Sequence, residues 1–152
     1  MSYFDKGEKP KIAVINKSTV NFGNVLAMVE ALKKFNDVHF APVWGTPADI
    51  IFSQTIPTGY WALIFLDDAD AANALGYHDV TSDGLPIGKV FVKTTLANKS
   101  DIMVTASHEL VEMLVDPAIN LCAIKNSTGV IYALEVGDPV EETDFKVNGY
   151  NM

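Results

Sequence analysis

The segment from Thr105 to Pro117, Thr-Ala-Ser-His-Glu-Leu-Val-Glu-Met-Leu-Val-Asp-Pro, places one imidazole and three carboxylates at intervals that suit a helix. At about 100° per residue, Thr105, His108, Glu109, Glu112 and Asp116 fall within a sector of roughly 100°. Ala106, Leu110, Val111, Met113, Leu114 and Val115 fill the rest of the circumference, so the helix is expected to be buried apart from one narrow polar stripe. His108 and Glu112, at i and i+4, project side by side, as two helical ligands of a tetrahedral metal must. Glu109 is turned by about a quarter of a circle from them, where a carboxylate can take a proton from water beside the metal. The stripe carries no lysine or arginine. Surface helices ordinarily mix signs, because acid–base pairs four residues apart favour the helix and like charges oppose it. An all-acidic stripe on an apolar helix calls for a cation or for water.

The elements that must position this stripe are legible from apolar periodicity. Lys11 to Asn16 is a short β-branched run and reads as a buried strand, and Tyr60 to Leu66 reads as the strongest strand in the chain. Val25, Leu26, Val29, Leu32 and Phe35 recur at helical spacing within Asn24 to Phe35, with Asn21 or Asn24 as the cap. Val38 to Trp44 reads as a strand, placed at an edge or bent by Pro42. Ala48 to Phe52 reads as a strand or a short helix, Asp67 to Asn73 as an acidic loop, and Leu85 to Thr94 as a strand beginning at Pro86 like an edge strand. Asp101 to Val115 is the second helix, stopped by Asp116-Pro117. The remainder is expected to be short strands and turns, clearest at Gly129 to Val136. The order predicts an α+β or α/β fold with a small mixed sheet.

With 152 residues, 49% of them hydrophobic, the chain is expected to form one domain over residues 1–152 that buries a core without disulfides. The last 30 or so residues are expected to be irregular, and the natural chain to run on or to be completed by a neighbouring subunit. The single cysteine, Cys122, excludes a disulfide framework or a Cys-rich zinc site, and is expected to pack as a small hydrophobe. The start has no apolar core region, so no signal peptide is expected, and no run reaches the roughly 18–20 apolar residues of a membrane span. A formal charge of −8 argues against nucleic acid and accords with cation binding. These features predict a cytoplasmic protein without membrane partners. Asn16 to Asn24 follows a strand like a phosphate loop but lacks Gly-Lys-Ser/Thr. Asp67-Asp68-Ala69-Asp70 lacks the glycine and distal glutamate of a calcium loop and reads as solvated. Trp44 and Trp61 read as core.

The segment Ser107 to Pro117 resembles the zincin metalloprotease superfamily, whose signature is His-Glu-x-x-His, and is most similar to phage and bacterial proteins carrying His-Glu-x-x-Glu-Met followed by Asp-Pro. Gly76-Tyr77-His78, Gly84-Leu85-Pro86 and Glu135-Val136-Gly137-Asp138 extend the resemblance over about residues 60–150. It implies a zincin-like, metzincin-type α+β fold, with a twisted mixed sheet, a backing helix and an active-site helix beneath an exposed edge strand. In that fold the edge strand binds an extended peptide by backbone pairing, and Leu85 to Val92, with Pro86, Gly88 and Val90, is the expected strand. Glu112 stands where the superfamily has a second histidine. A carboxylate can ligate zinc, but its charge weakens the Lewis acid and shifts preference toward calcium or manganese. The third ligand is expected from Asp138 or Glu135, as in one zincin branch, then from His78, and last from Asp116, which alternatively caps the turn before Pro117. The implied function is a zinc-dependent hydrolase of peptide or protein substrates with Glu109 as general base. The alternative is a non-catalytic structural or assembly module of a phage particle, virion-associated and self-associating; a third reading is a domain that pairs with peptides through its edge strand without cleaving them.

Overall fold

Lys11–Asn16 forms β1, and its four central residues are fully buried, as a continuous apolar run inside a parallel sheet should be. The computed structural model describes residues 8–72 and 74–152. Met1 to Gly7, where the absence of a signal peptide was read, and Asn73, the last position of the acidic loop, lie outside the described residues. After β1, Asn24 caps α1 (Val25–Lys34) by accepting a hydrogen bond from the Ala27 N–H at 3.2 Å. Then come a π-helical turn at Phe35–Phe40, α2 (Ala41–Trp44), β2 (Asp49–Phe52), β3 (Trp61–Leu66), β4 (Gly76–Val80), β5 (Pro86–Phe91), α3 (Val92–Ala97) and α4 (Ile102–Val115). Past α4 the chain forms the hairpin β6 (Cys122–Lys125) and β7 (Val130–Ala133), a 3-10 turn at Asp138–Val140, and a small ladder of β8 (Lys146–Val147) and β9 (Tyr150–Asn151).

The fold is α+β around a five-stranded mixed sheet in the order β2-β1-β3-β5-β4. β2, β1, β3 and β5 run parallel, and β4 lies antiparallel to β5 at the outer edge. Side chains two apart on a strand share a face. Ile12 and Val14 of β1, Leu63 and Phe65 of β3, and Val90 of β5 join one buried cluster with Met28, Val29 and Leu32 of α1 and Leu110, Met113 and Leu114 of α4. The cluster is one contiguous core, which puts the polar stripe of α4 beside the β4–β5 pair. No helix among the described residues is long and apolar enough to cross a membrane.

Four expectations are corrected here. Val38 to Trp44 is helical: α1 continues through a π-turn that buries Phe35, Asn36 and Phe40, and Gly45 at φ 72° ends α2 in the left-handed cap conformation. Trp44 is accordingly half exposed, stacked on Phe40 at 5.8 Å, whereas Trp61 is buried as expected. The strand starting at Pro86 is internal, between β3 and β4, so Pro86, Gly88 and Val90 do not form a free edge. Proline is tolerated there because it is the first residue of its strand. Cys122 is exposed and packs into no core.

The π-turn is held by Asn36, fully buried, whose side chain donates to the Thr46 carbonyl at 3.2 Å and accepts from the Ala48 N–H at 3.0 Å. Asn36→Ala leaves both buried backbone groups unpaired, and is expected to lower unfolding free energy by about 1–3 kcal/mol. Urea denaturation of the pair of proteins measures it, and a change within error would show that water replaces the amide.

Candidate metal centre

Asp101 starts α4 by accepting a hydrogen bond from the Met103 N–H at 2.8 Å. The helix ends at Asp116, whose carboxylate accepts from the N–H groups of Asn120 (3.1 Å) and Leu121 (2.9 Å). Asp116 is therefore committed to the turn, the role offered as its alternative to ligation, and it stands outside the convergent donors. The polar stripe is not solvated. Glu109 and Glu112 are each 4% exposed and Asp116 2%.

Two further segments close over this stripe. The chain leaves as the β6–β7 hairpin and returns through Glu135 to Asp138, where the Gly137 N–H donates to Glu112 Oε1 at 3.2 Å. The returning segment lies so near the helix that a Cβ on Gly137 would sit 2.6 Å from His108 Nδ1. From the other side β4 supplies His78, opposite Gly88 of β5. His108 Nε2 then lies 3.2 Å from Glu112 Oε1 and 3.5 Å from Asp138 Oδ1. His78 Nδ1 lies 3.4 Å from Glu112 Oε2 and 3.9 Å from Glu109 Oε2, and His78 Nε2 lies 3.9 Å from Glu135 Oε2. Ligands about 2.0–2.1 Å from a tetrahedral zinc are themselves roughly 3.4 Å apart. The His108–Glu112–Asp138 group and the His78–Glu109–Glu112 group each have donor atoms spaced for a shared cation.

Burial and charge act in opposite directions here. Desolvation is the main force on Glu109 and pushes its carboxyl up to about 8; His108 pulls it down, and Glu112 pushes it further up. Burial also raises Glu112, but hydrogen bonds from His108 and His78 outweigh it and hold this carboxyl well below the usual range. His78 is opposed by burial yet raised by its hydrogen bond to Glu112 and by the surrounding acids. His108 is raised mainly by its hydrogen bond to Glu112. Burial raises Glu135. No lysine or arginine pairs with these acids among the described residues. His78 Nε2, Glu109 Oε2 and Glu135 Oε2 are buried with no hydrogen-bond partner. Buried polar atoms left so cost about 1–3 kcal/mol each, and a cation among His78, Glu109 and Glu112 would remove that cost at Glu109 Oε2. The donors fit a divalent ion on spacing, chemistry and these orphaned atoms together.

His78, Glu109, Glu112 and Asp138 line a pocket of about 330 Å³, and Glu109, His108 and Asp138 also line an adjoining cavity of about 550 Å³ that runs toward Asp101. The chain matches no family model, and no curated protein or solved structure is significantly similar to it.

The expected residues His108, Glu112 and Asp138 come together, while Glu135 approaches only through His78. His78 is on β4 and inside the cluster. Gly76 and Gly137 were missed as site residues. A Cβ on Gly76 would meet Glu109 Oε1 at 2.6 Å and the Lys89 carbonyl at 2.7 Å. Both glycines stand in the segments Gly76-Tyr77-His78 and Glu135-Val136-Gly137-Asp138, where a glycine within two residues of a candidate ligand signals close backbone approach. Gly137→Ala is expected to displace His108 or Asp138, costing about 1–3 kcal/mol of stability from overpacking together with cation affinity. Thermal melting and zinc titration measure the two effects, and unchanged affinity would mean that the returning segment does not set the His108 position.

Proposed function

We propose that this chain is a metal-dependent hydrolase of zincin type that cleaves peptide bonds. The observation that carries the proposal is the meeting of His108 and Glu112 from α4 with Asp138 from the 3-10 turn after β7, at ligand spacing, next to a buried glutamate with a bare oxygen. A mixed sheet with an antiparallel outer strand, both long helices joined to one core, and α4 packed against β4 support the zincin-like reading. Zinc held by His108, Glu112 and Asp138 would polarise the scissile carbonyl and acidify water, less strongly than with a neutral third ligand, and manganese or calcium would suit the two carboxylates as well.

The remaining work falls to the protein. β4 pairs with β5 alone among the described strands, so its outer backbone can align an extended substrate across the pocket mouth. This moves the substrate strand from Leu85–Val92 to Gly76–Val80. Glu109 Oε2, without a donor, receives the proton of the attacking water and returns it to the departing amine. In the metal-free protein burial holds this carboxyl up at about 8, and a nearby divalent cation would draw it toward the ionised form that a base requires. The walls of the pocket exclude bulk water from Glu109.

The test is metal content. Protein purified without chelator is expected to carry at least one divalent ion per chain, and EDTA is expected to lower its melting temperature, since binding to the folded state alone is folding free energy. Protein that holds no metal and whose melting point ignores added zinc, manganese and calcium would sink the proposal.

A further inference from the structure

Glu112 is shared between two donor groups, one carboxylate oxygen for each. Oε1 faces His108, and Oε2 faces His78. Asp138 stands on the first side, 3.5 Å from His108, and Glu109 on the second, 3.9 Å from His78. Each side thus has one imidazole nitrogen, one oxygen of Glu112 and one oxygen of a second carboxylate. His78 and His108 do not fall into a single ligand group. Glu135 Oε2 lies 3.9 Å from the far nitrogen of His78, beyond hydrogen-bond reach, and adds negative charge beside this imidazole.

We infer that the site holds two divalent cations bridged by Glu112, and that the second, at His78 and Glu109, switches the first off. The inference rests on the hydrolase reading for its regulatory part. Two ions sharing a carboxylate lie about 3.5–4 Å apart. The four acids Glu109, Glu112, Glu135 and Asp138 would together neutralise two divalent ions, and no other cation pairs with them among the described residues. An independent observation points into the second position. The Glu109 side chain is 5% exposed and the His78 side chain 7%, and Glu109 Oε2 has no hydrogen-bond donor. A buried carboxylate with a bare oxygen facing an imidazole offers two donor atoms to a cation. Occupying it takes the oxygen that the reaction needs as a base. One equivalent of cation therefore activates, and the second inhibits.

The experiment is titration of the metal-free protein with Zn²⁺ by calorimetry, followed by Mn²⁺ loading and electron paramagnetic resonance. The expected result is two equivalents of Zn²⁺ per chain, one in His78→Ala, and an exchange-coupled Mn²⁺ signal in the wild type at two equivalents. With a peptidase readout, activity would peak near one equivalent and fall toward two, and the fall would vanish in His78→Ala. A single equivalent in the wild type, with uncoupled Mn²⁺, overturns the second position and leaves the hydrolase reading standing. Two coupled ions with activity still rising to the second equivalent overturn the inhibitory role. No binding at all defeats both readings. The coupled signal needs no variant, so a folding defect in His78→Ala does not blunt the test.

Discussion

Glu109→Gln is expected to lower kcat by about 10²–10⁴-fold, the usual contribution of a positioned base, while the ion at His108, Glu112 and Asp138 is retained. The amide has nearly the shape of the carboxyl, and in the metal-free protein Glu109 is uncharged below about pH 8 because burial raises it. The variant should therefore fold. It should also be the more stable protein in alkali. A group whose folded pKa is raised lends stability that is complete below its unfolded value, near 4.5, and is lost as pH climbs through about 8. The metal-free wild type is thus expected to lose melting temperature between about pH 4.5 and 8, and Glu109→Gln to lose less. Activity assays on a mixed peptide library and melting curves at both pH values measure the pair. Full activity in the variant would remove Glu109 from the mechanism.

Glu112→Gln should have the largest effect on the metal. This side chain is the one group that touches both histidines and also accepts the Gly137 N–H. Replacing the carboxylate removes the charge that either cation would share. Changes one shell further out commonly cost 10–100-fold in affinity, so the loss here is expected to exceed roughly 100-fold. Metal-free stability should change in acid. His78 and His108 are raised in the folded protein by Glu112, so they lend stability that is full below their unfolded value near 6.5 and fades as pH rises through their folded values. In Glu112→Gln this acid-side support disappears, and the melting temperatures of variant and wild type should converge above the histidine titration. Isothermal titration with Zn²⁺ is the direct check, and wild-type affinity in the variant would place the ion elsewhere.

The helix carrying the site was the most legible part of the chain, because fourteen consecutive residues with an apolar surround and one polar stripe leave little choice of partner face. β1, β3 and α1 were equally plain from continuous or periodic apolar runs. The sheet order was not. Pro86 looked like an edge marker, but a strand's first residue can be proline anywhere in a sheet, and the pairing of β4 outside β5 depends on contacts that no local pattern records. Val38 to Trp44 failed for a related reason. Alternating apolar residues imitate a strand, while the buried set Phe35, Asn36 and Phe40 belongs to a wide helical turn fixed by a distant backbone partner at Thr46 and Ala48. His108 and Glu112 could be paired by spacing alone. The arrival of His78 and Asp138 could not, since they are 30 residues before and after His108 in the chain.

That long excursion has a kinetic consequence. Between Ile119 and Ala133 every residue is exposed, and the β6–β7 hairpin rests on its own two strands, whereas α4 is locked into the core. Segments with so little buried surface open at a small fraction of the global unfolding free energy. Gly137 and Asp138 return from this arm, so peeling it back would release one donor of the ion and uncover Glu112 without disturbing the sheet. Under the proposed metal-dependent function, cation exchange would follow the arm's opening rate, and the sheet would outlast many exchanges.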